Sequence, residues 1–223
     1  MKLRLVGCSH HASSVEAREQ LAFTPDQVLD ALRQLRERYT DAEAVLLSTC
    51  NRVELYVAAG DADELPTHDE LTSFLAQYHA LNPDEVSDEL FRCSDQEAVR
   101  HLFLVASSLD SMVVGEAQIL SQVKQAFAAS QAAQVTGPIT HHVFETAYHV
   151  AKRVSRETEI NRRRVSIPSI AGTDCAKQLF ETFVDKKVLL IGAGEMGEET
   201  LRYLRNEGAQ DIVLLNRHRE RAD

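Results

Sequence analysis

Cys50 stands in the run Leu46-Leu47-Ser48-Thr49-Cys50-Asn51-Arg52-Val53-Glu54-Leu55-Tyr56, beside a hydroxyl, an amide and a guanidinium. A thiol is a good nucleophile only as its thiolate, and a neighbouring cation such as Arg52 lowers its pKa. Arg52 and Asn51 can instead hold a carboxylate, because a guanidinium offers that group a two-donor fork. By spacing alone, a small buried packing cysteine is the more frequent outcome. A second run with chemical content is Gly192-Ala193-Gly194-Glu195-Met196-Gly197. Glycines at this spacing allow a tight turn and let a pyrophosphate approach a helix N-terminus.

The elements that must position these groups follow from hydrophobic periodicity. Around Cys50, apolar residues run up to Ser48, and Val53, Leu55 and Val57 then alternate with Glu54 and Tyr56, which predicts two short strands joined by a polar turn. A strand over Lys2 to Gly7 precedes them. Thr24-Pro25 supplies an N-cap and a first helical residue for a helix carrying Val28, Leu29, Leu32 and Leu35 and ending near Tyr39. Gly60 to Asp69 reads as an acidic loop, followed by a helix from Glu70 to Tyr78 that Asn82-Pro83-Asp84 breaks. From Asp95, expected to cap a helix, the pattern is helical almost throughout. The helix that Asp95 caps is expected to carry Val99, Leu102, Phe103 and Ala106, and further helices are expected over Glu116 to Gln134 and from Ile139 to about Glu159, with Gly137-Pro138 between these two. The first part is expected to be a small mixed sheet joined to a helical bundle.

The glycine run sits in the context a dinucleotide site requires. Lys187-Val188-Leu189-Leu190-Ile191 reads as a buried strand before it, a helix to about Glu207 follows, and Asp211 to Leu215 reads as a second strand. A site for NADH usually places an acidic residue after that second strand, on the ribose 2′-hydroxyl. This chain has Asn216-Arg217, with Arg219 close by, and a cation there suits a 2′-phosphate, so NADPH is favoured; an exposed charged turn is the other reading. A basic linker, Asn161 to Ser166, and a helix from Pro168 to Phe183 lead into this part. The expected division is therefore residues 1–160 and 161–223, of class α/β, an α+β domain followed by the truncated start of a Rossmann-like nucleotide-binding domain.

A chain of 223 residues is long enough for two modest cores. No apolar run is long enough to span a bilayer, and the first residues break their apolar character too soon for a signal peptide; a cytoplasmic protein without membrane association is expected. Cys8, Cys50, Cys93 and Cys175 form no CxxC pair, which suggests neither a zinc site nor a disulfide framework. His10 and His11 lie next to Cys8, but no further ligand stands at metal spacing, so no metal is expected. The net charge of −10 opposes non-specific binding to a polyanion. An RNA contact would have to use a local patch or shape recognition, and Lys152, Arg153, Arg156 and Arg162-Arg163-Arg164 are the candidate patch, with a solvated helix end and linker as the alternative.

The run Ser48-Thr49-Cys50-Asn51-Arg52-Val53-Glu54 resembles the active-site signature of the glutamyl-tRNA reductase family. Two further segments are similar to that family in the same order: Val6-Gly7-Cys8-Ser9-His10-His11 with Val15-Glu16-Ala17-Arg18-Glu19, and Ser108-Leu109-Asp110-Ser111-Met112-Val113-Val114-Gly115-Glu116-Ala117-Gln118-Ile119-Leu120. The resemblance covers the whole chain, while the family's C-terminal part is missing from it. It implies that Cys50 attacks the ester joining glutamate to its tRNA, and that the resulting thioester is reduced with NADPH to glutamate 1-semialdehyde. That is the first step of five-carbon tetrapyrrole (porphyrin) synthesis.

The resemblance also implies roles. Thr49, Cys50, Asn51, Arg52, Ser111, Glu116, Ala117, Gln118 and Gln122 match substrate-pocket positions, with Arg52 on the substrate carboxylate and Glu116 on its α-ammonium. His101 matches a histidine tied to activity, as an acid-base group or a carbonyl polariser. Gly192, Ala193, Gly194, Glu195, Met196, Gly197 and Arg217 would hold the cofactor. Ala117 and Ser121 depart from the family's usual proline and glycine, which favours a regular helix there. Glutamyl-tRNA(Glu) is the implied substrate, a homodimer the implied state of the full-length protein, and glutamate-1-semialdehyde aminomutase an implied contact. Two rivals remain: a non-reducing glutamyl-tRNA-binding or regulatory homologue, and a Cys50-dependent esterase.

Overall fold

A computed structural model describes residues 2–61, 63–116, 118–160, 180 and 182–217. Ala117, Arg162-Arg163-Arg164, Cys175, Arg219 and most of the helix expected from Pro168 lie outside the described residues. The chain forms two compact units, 1–160 and 161–223.

Unit 1 is built on a four-stranded sheet of order β2-β3-β1-β4, from β1 (Lys2–Ser9), β2 (Glu43–Ser48), β3 (Arg52–Ala59) and β4 (Phe91–Ser94). Every pairing is antiparallel, so the expected mixed sheet is corrected to a purely antiparallel one. The registers Ser9↔Arg52 and Ser48↔Val53 bring the end of β1 and the end of β2 to the start of β3, at one edge of the turn that carries Cys50.

Helices cover both faces. Val53, Leu55 and Val57 pack with Val6, Leu46 and the apolar stripes of α2 (Pro25–Arg38) and α3 (His68–Tyr78). Tyr56 and Ala58 pack with Leu3, Leu5, Val45 and Leu47 against α5 (Asp95–Ala106), α6 (Gln118–Ala132) and α7 (Pro138–Glu157). The alternation along β3 reads as one apolar and one polar face, yet all eight of its residues are buried. Glu54 and Tyr56 face a second core instead of water, because the helical layer needs a sheet face to cover its own apolar side.

The caps explain where the helices start. Thr24 accepts the Gln27 N–H while the Gln27 side chain accepts the Thr24 N–H, a reciprocal pair that begins α2 at Pro25. Thr67 and Glu70 do the same for α3, which therefore begins two residues before the expected Glu70. Asp95 does not cap α5. The N-cap position belongs to Ser94, Asp95 itself has φ 48°, and its carboxylate accepts the Leu3 N–H at 3.0 Å, tying α5 to the start of the sheet. Three short elements have no signal in the periodicity: α1 (Val15–Gln20), α4 (Pro83–Val86) and β4. Each is too short to show a repeat. α7 begins where Glu43 of β2 accepts the N–H groups of Ile139 and Thr140, a carboxylate at a helix N-terminus.

Unit 2 contains β5 (Lys187–Ile191), α8 (Glu195–Asn206) and β6 (Asp211–Leu215), with β5 and β6 parallel in the register Lys187↔Asp211 to Ile191↔Leu215. Parallel neighbours joined through a helix form the expected strand-helix-strand unit, but β5, expected to be buried, alternates exposed and half-buried residues along its length.

Candidate active site

The Cys50 turn is closed by its own residues. Thr49 N–H donates to the Arg52 carbonyl at 2.8 Å, and the Thr49 hydroxyl accepts the N–H groups of Asn51 and Arg52, each at 3.2 Å. Thr49 is thus part of the frame of the turn, and Cys50 is presented at its exposed tip. The other described thiols differ. Burial pushes the Cys8 thiol up to about 11, and burial with the Glu97 and Glu54 charges raises Cys93, so both stay protonated at neutral pH.

Arg52, expected to face a substrate carboxylate, is 1% exposed and committed to other groups. One Nη donates to Glu54 at 2.6 Å and to the Asp110 carboxylate at 3.0 Å, and the other donates to the Asp110 carbonyl. The physical reason is that a buried guanidinium needs partners for its charge, and two carboxylates already supply them. Glu54 is the hub of this network. It accepts from Arg52, from Tyr56 Oη at 2.6 Å and lies 2.8 Å from His101 Nε2. Burial alone would raise its carboxyl, but the His101 hydrogen bond and the Arg52 charge outweigh burial and bring it down to about 2. His101 is therefore held against an ionised carboxylate through Nε2, with Phe91 beside its ring at 5.0 Å.

Through Asp110 the network also ties down the segment that follows α5. Ser108 donates to Ser111 at 3.2 Å, Asp110 Oδ1 lies 3.6 Å from His11 Nε2, and Gly115, at φ 89°, closes the segment where an added Cβ would run into the Ile160 carbonyl. Ser111 thus follows directly on Asp110, the residue that Arg52 holds. Glu116 lies at the end of this segment, with its N–H on the Val113 carbonyl at 3.2 Å. Gln118, exposed, and Gln122, half-buried, lie one turn apart on α6, and no side-chain hydrogen bond among the described residues ties either to the turn. In the expected basic patch, Arg153 is engaged with Glu157 at 2.9 Å.

Two further groups at the turn carry no signal in residue type or spacing. Arg18 of α1 donates to the Cys50 carbonyl at 3.3 Å, and its Nε is buried without a hydrogen-bond partner. The His10 N–H donates to the Asn51 carbonyl at 3.1 Å. Both lie in the opening segment quoted above, but nothing in its spacing shows that β1 and α1 end at the Cys50 turn.

In unit 2, the glycine run and the end of β6 line an open cleft of about 660 Å³ formed by Ile191, Gly192, Ala193, Gly194, Leu215, Asn216 and Arg217. Gly192 has φ 108°, and a Cβ on Gly197 would meet the Gly192 carbonyl, so both positions need glycine. The Asn216 side chain accepts the Ala193 N–H at 3.3 Å and shapes the loop, while Arg217 stays exposed. Gly194 offers no side-chain cap to α8, which leaves its first N–H groups for an anion. Glu195 and Met196 open that helix.

The family model for the glutamyl-tRNA reductase N-terminal domain matches residues 6–158, and that for shikimate/quinate 5-dehydrogenase matches residues 174–223. The chain is 50% identical over 222 residues to a glutamyl-tRNA reductase of Rhodopirellula baltica, covering 100% of this chain and 52% of the relative. It is 44% identical over 223 residues to that of Rubrobacter xylanophilus, covering 100% of this chain and 51% of the relative. The glutamyl-tRNA reductase structure from Methanopyrus kandleri is similar with a TM-score of 0.67 at 36% identity, over 99% of this chain and 50% of that one. The chain spans about half the length of the curated relatives it matches. With an exposed thiol framed as described and a family model covering most of its length, the chain belongs to the glutamyl-tRNA reductase family.

Proposed function

We propose that this chain carries the acyl-transfer half of a glutamyl-tRNA reductase and the start of its NADPH site. The observation that carries the reading is the single exposed thiol among the described residues, at the tip of a turn rigidly framed by buried strands. Cys50 attacks the carbonyl of the ester joining glutamate to tRNA(Glu); the S–C bond forms, the ester C–O bond breaks, and the glutamyl group remains as a thioester. Arg18, at the turn and with a buried unpartnered Nε, is the cation for a glutamyl carboxylate. Arg52, Glu54, Tyr56 and Asp110 hold the turn and its neighbouring segment in place, a positioning task suited to a satisfied buried network.

The loop at Gly192 to Gly197 and the open N-terminus of α8 fit a pyrophosphate, and Arg217 fits a 2′-phosphate. When bound, NADPH would supply the hydride that reduces the thioester to the semialdehyde. This is the entry step of five-carbon tetrapyrrole synthesis. Because the product is a reactive aldehyde, a partner that accepts it directly, such as an aminomutase, belongs to the same reading.

The test is single-turnover transfer of radiolabelled glutamate from glutamyl-tRNA to the protein without NADPH, beside Cys50→Ser. Stable label on the wild type and none on Cys50→Ser is the expected result. Folded protein that binds the tRNA but takes no label would mean a binding homologue. Fast release of free glutamate, lost in Cys50→Ser, would mean an esterase.

A further inference from the structure

A thiol that attacks an ester must lose a proton, and the departing ribose oxygen must gain one. His101 is poorly placed for this exchange, because its Nε2 is occupied by the Glu54 carboxylate at 2.8 Å. Another histidine lies at the turn itself. β1 ends at Ser9, opposite Arg52, and the next residue extends the ladder by one rung, with the His10 N–H on the Asn51 carbonyl at 3.1 Å. His10 is thereby fixed beside the residue that follows Cys50. Its ring lies against His11, centroids 3.8 Å apart, and its Nδ1 is shielded from solvent with no hydrogen-bond partner. A buried ring nitrogen with no partner is costly to keep, and a catalytic role is one reason a fold retains such a group.

We infer that His10 is the acid-base residue of the acyl transfer, taking the Cys50 proton and returning it to the leaving oxygen of the tRNA. The inference rests on the reading of Cys50 as the nucleophile. The Sγ–H proton moves to Nδ1, the S–C bond forms as the ester C–O bond breaks, and the same proton passes to the ribose oxygen. No electrons are gained or lost. The surroundings favour the form of the ring that accepts a proton: burial, then the charges of His11 and Arg52, lower His10 below the usual histidine range, with Arg18 adding to the effect and Asp110 opposing it. A neutral imidazole at neutral pH is what a general base must be. His10 and His11 lie side by side in the sequence. The fold gives the two different neighbours, with His11 turned to Asp110 and His10 fixed to the turn.

The test uses two readouts on the whole chain, wild type and His10→Gln, with Cys50→Ser as background for the other thiols. In the first, the rate of Cys50 alkylation by iodoacetamide is followed against pH, with no RNA present. The wild type is expected to show a histidine-like inflection below the usual range, and His10→Gln to lose it. In the second, single-turnover glutamate transfer is expected to slow by about 10²–10⁴-fold in His10→Gln. Thermal unfolding checks that the variant is folded; should it not be, His10→Ala with added imidazole serves, and restored transfer supports the assignment. Wild-type alkylation and transfer rates in a folded His10→Gln overturn it. A His10-dependent alkylation profile in a wild type that takes no glutamate overturns the glutamyl reading instead, and leaves His10 as the base of the thiol.

Discussion

At the scale of single residues, the site is decided by how charge is shared beneath the Cys50 turn. Glu54 has no contact with solvent, and its ionised form is held by His101, Arg52 and Tyr56. Its carboxyl titrates at about 2 in the folded chain against an ordinary 4.5. A depressed folded value contributes stability that is present above the ordinary value and lost as the pH falls toward the folded one. Glu54→Gln is therefore expected to remove an acid-limb component worth roughly 3 kcal/mol, read as a weaker dependence of the urea midpoint on pH in that window. The same variant should be less stable than the wild type at neutral pH, because Arg52 loses one of its two carboxylates. Arg18→Ala tests the other charge at the turn. It is expected to raise the glutamyl-tRNA concentration giving half-maximal transfer by about 10-fold or more, the loss of one charge-assisted hydrogen bond, with the unfolding midpoint changed little. An unchanged half-saturation would return the carboxylate to another cation.

At the scale of elements, the turn, the end of β1 and the segment after α5 act as one assembly. Thr49 closes the turn, His10 continues the β1 ladder onto it, and Asp110 anchors the following segment to Arg52. The segment can close only because Gly115 adopts a positive φ against Ile160. Gly115→Ala is expected to cost about 1–3 kcal/mol through backbone strain and to slow glutamate transfer, measured as a lower urea midpoint and a lower single-turnover rate. Most of these elements were legible. The strands around Cys50, the cap of α2 and the helices α5 to α7 follow from periodicity and N-cap chemistry. The short elements α1, α4 and β4 were not, and α1 is the one that carries Arg18. Asp95 shows the limit of cap chemistry: the residue type was suitable, but the Leu3 N–H, 92 positions away, took its carboxylate.

At the scale of the whole molecule, each unit has its own interior. Unit 1 has helices on both faces of its sheet. Unit 2 has one face of its sheet exposed, with Leu189 60%, Ile191 72%, Val213 46% and Leu215 56% accessible, although parallel sheets are normally covered on both faces. The chain is therefore expected to bind the dye ANS in its native state, and a Leu189→Lys/Val213→Lys double variant to bind much less of it without a change in the Cys50 alkylation rate. Equal dye binding by both proteins would place the exposed apolar surface elsewhere.

The sequence by itself determined the frame: a thiol between two strands, a glycine loop between a strand and a helix, and a cation after the following strand. These are local properties, carried by residue type and by repeats of two or 3.6 residues. Only the tertiary structure decided which charges serve the turn. Arg52 lies two residues from Cys50, yet the alternation of a strand and the helices above it bury its side chain between Glu54 and Asp110. Arg18 and His10 lie 32 and 40 positions from Cys50 and meet its turn because β1 pairs antiparallel with β3. Side-chain partnership across a sheet depends on register, and register is set by burial of both faces together, which no single stretch of the chain contains.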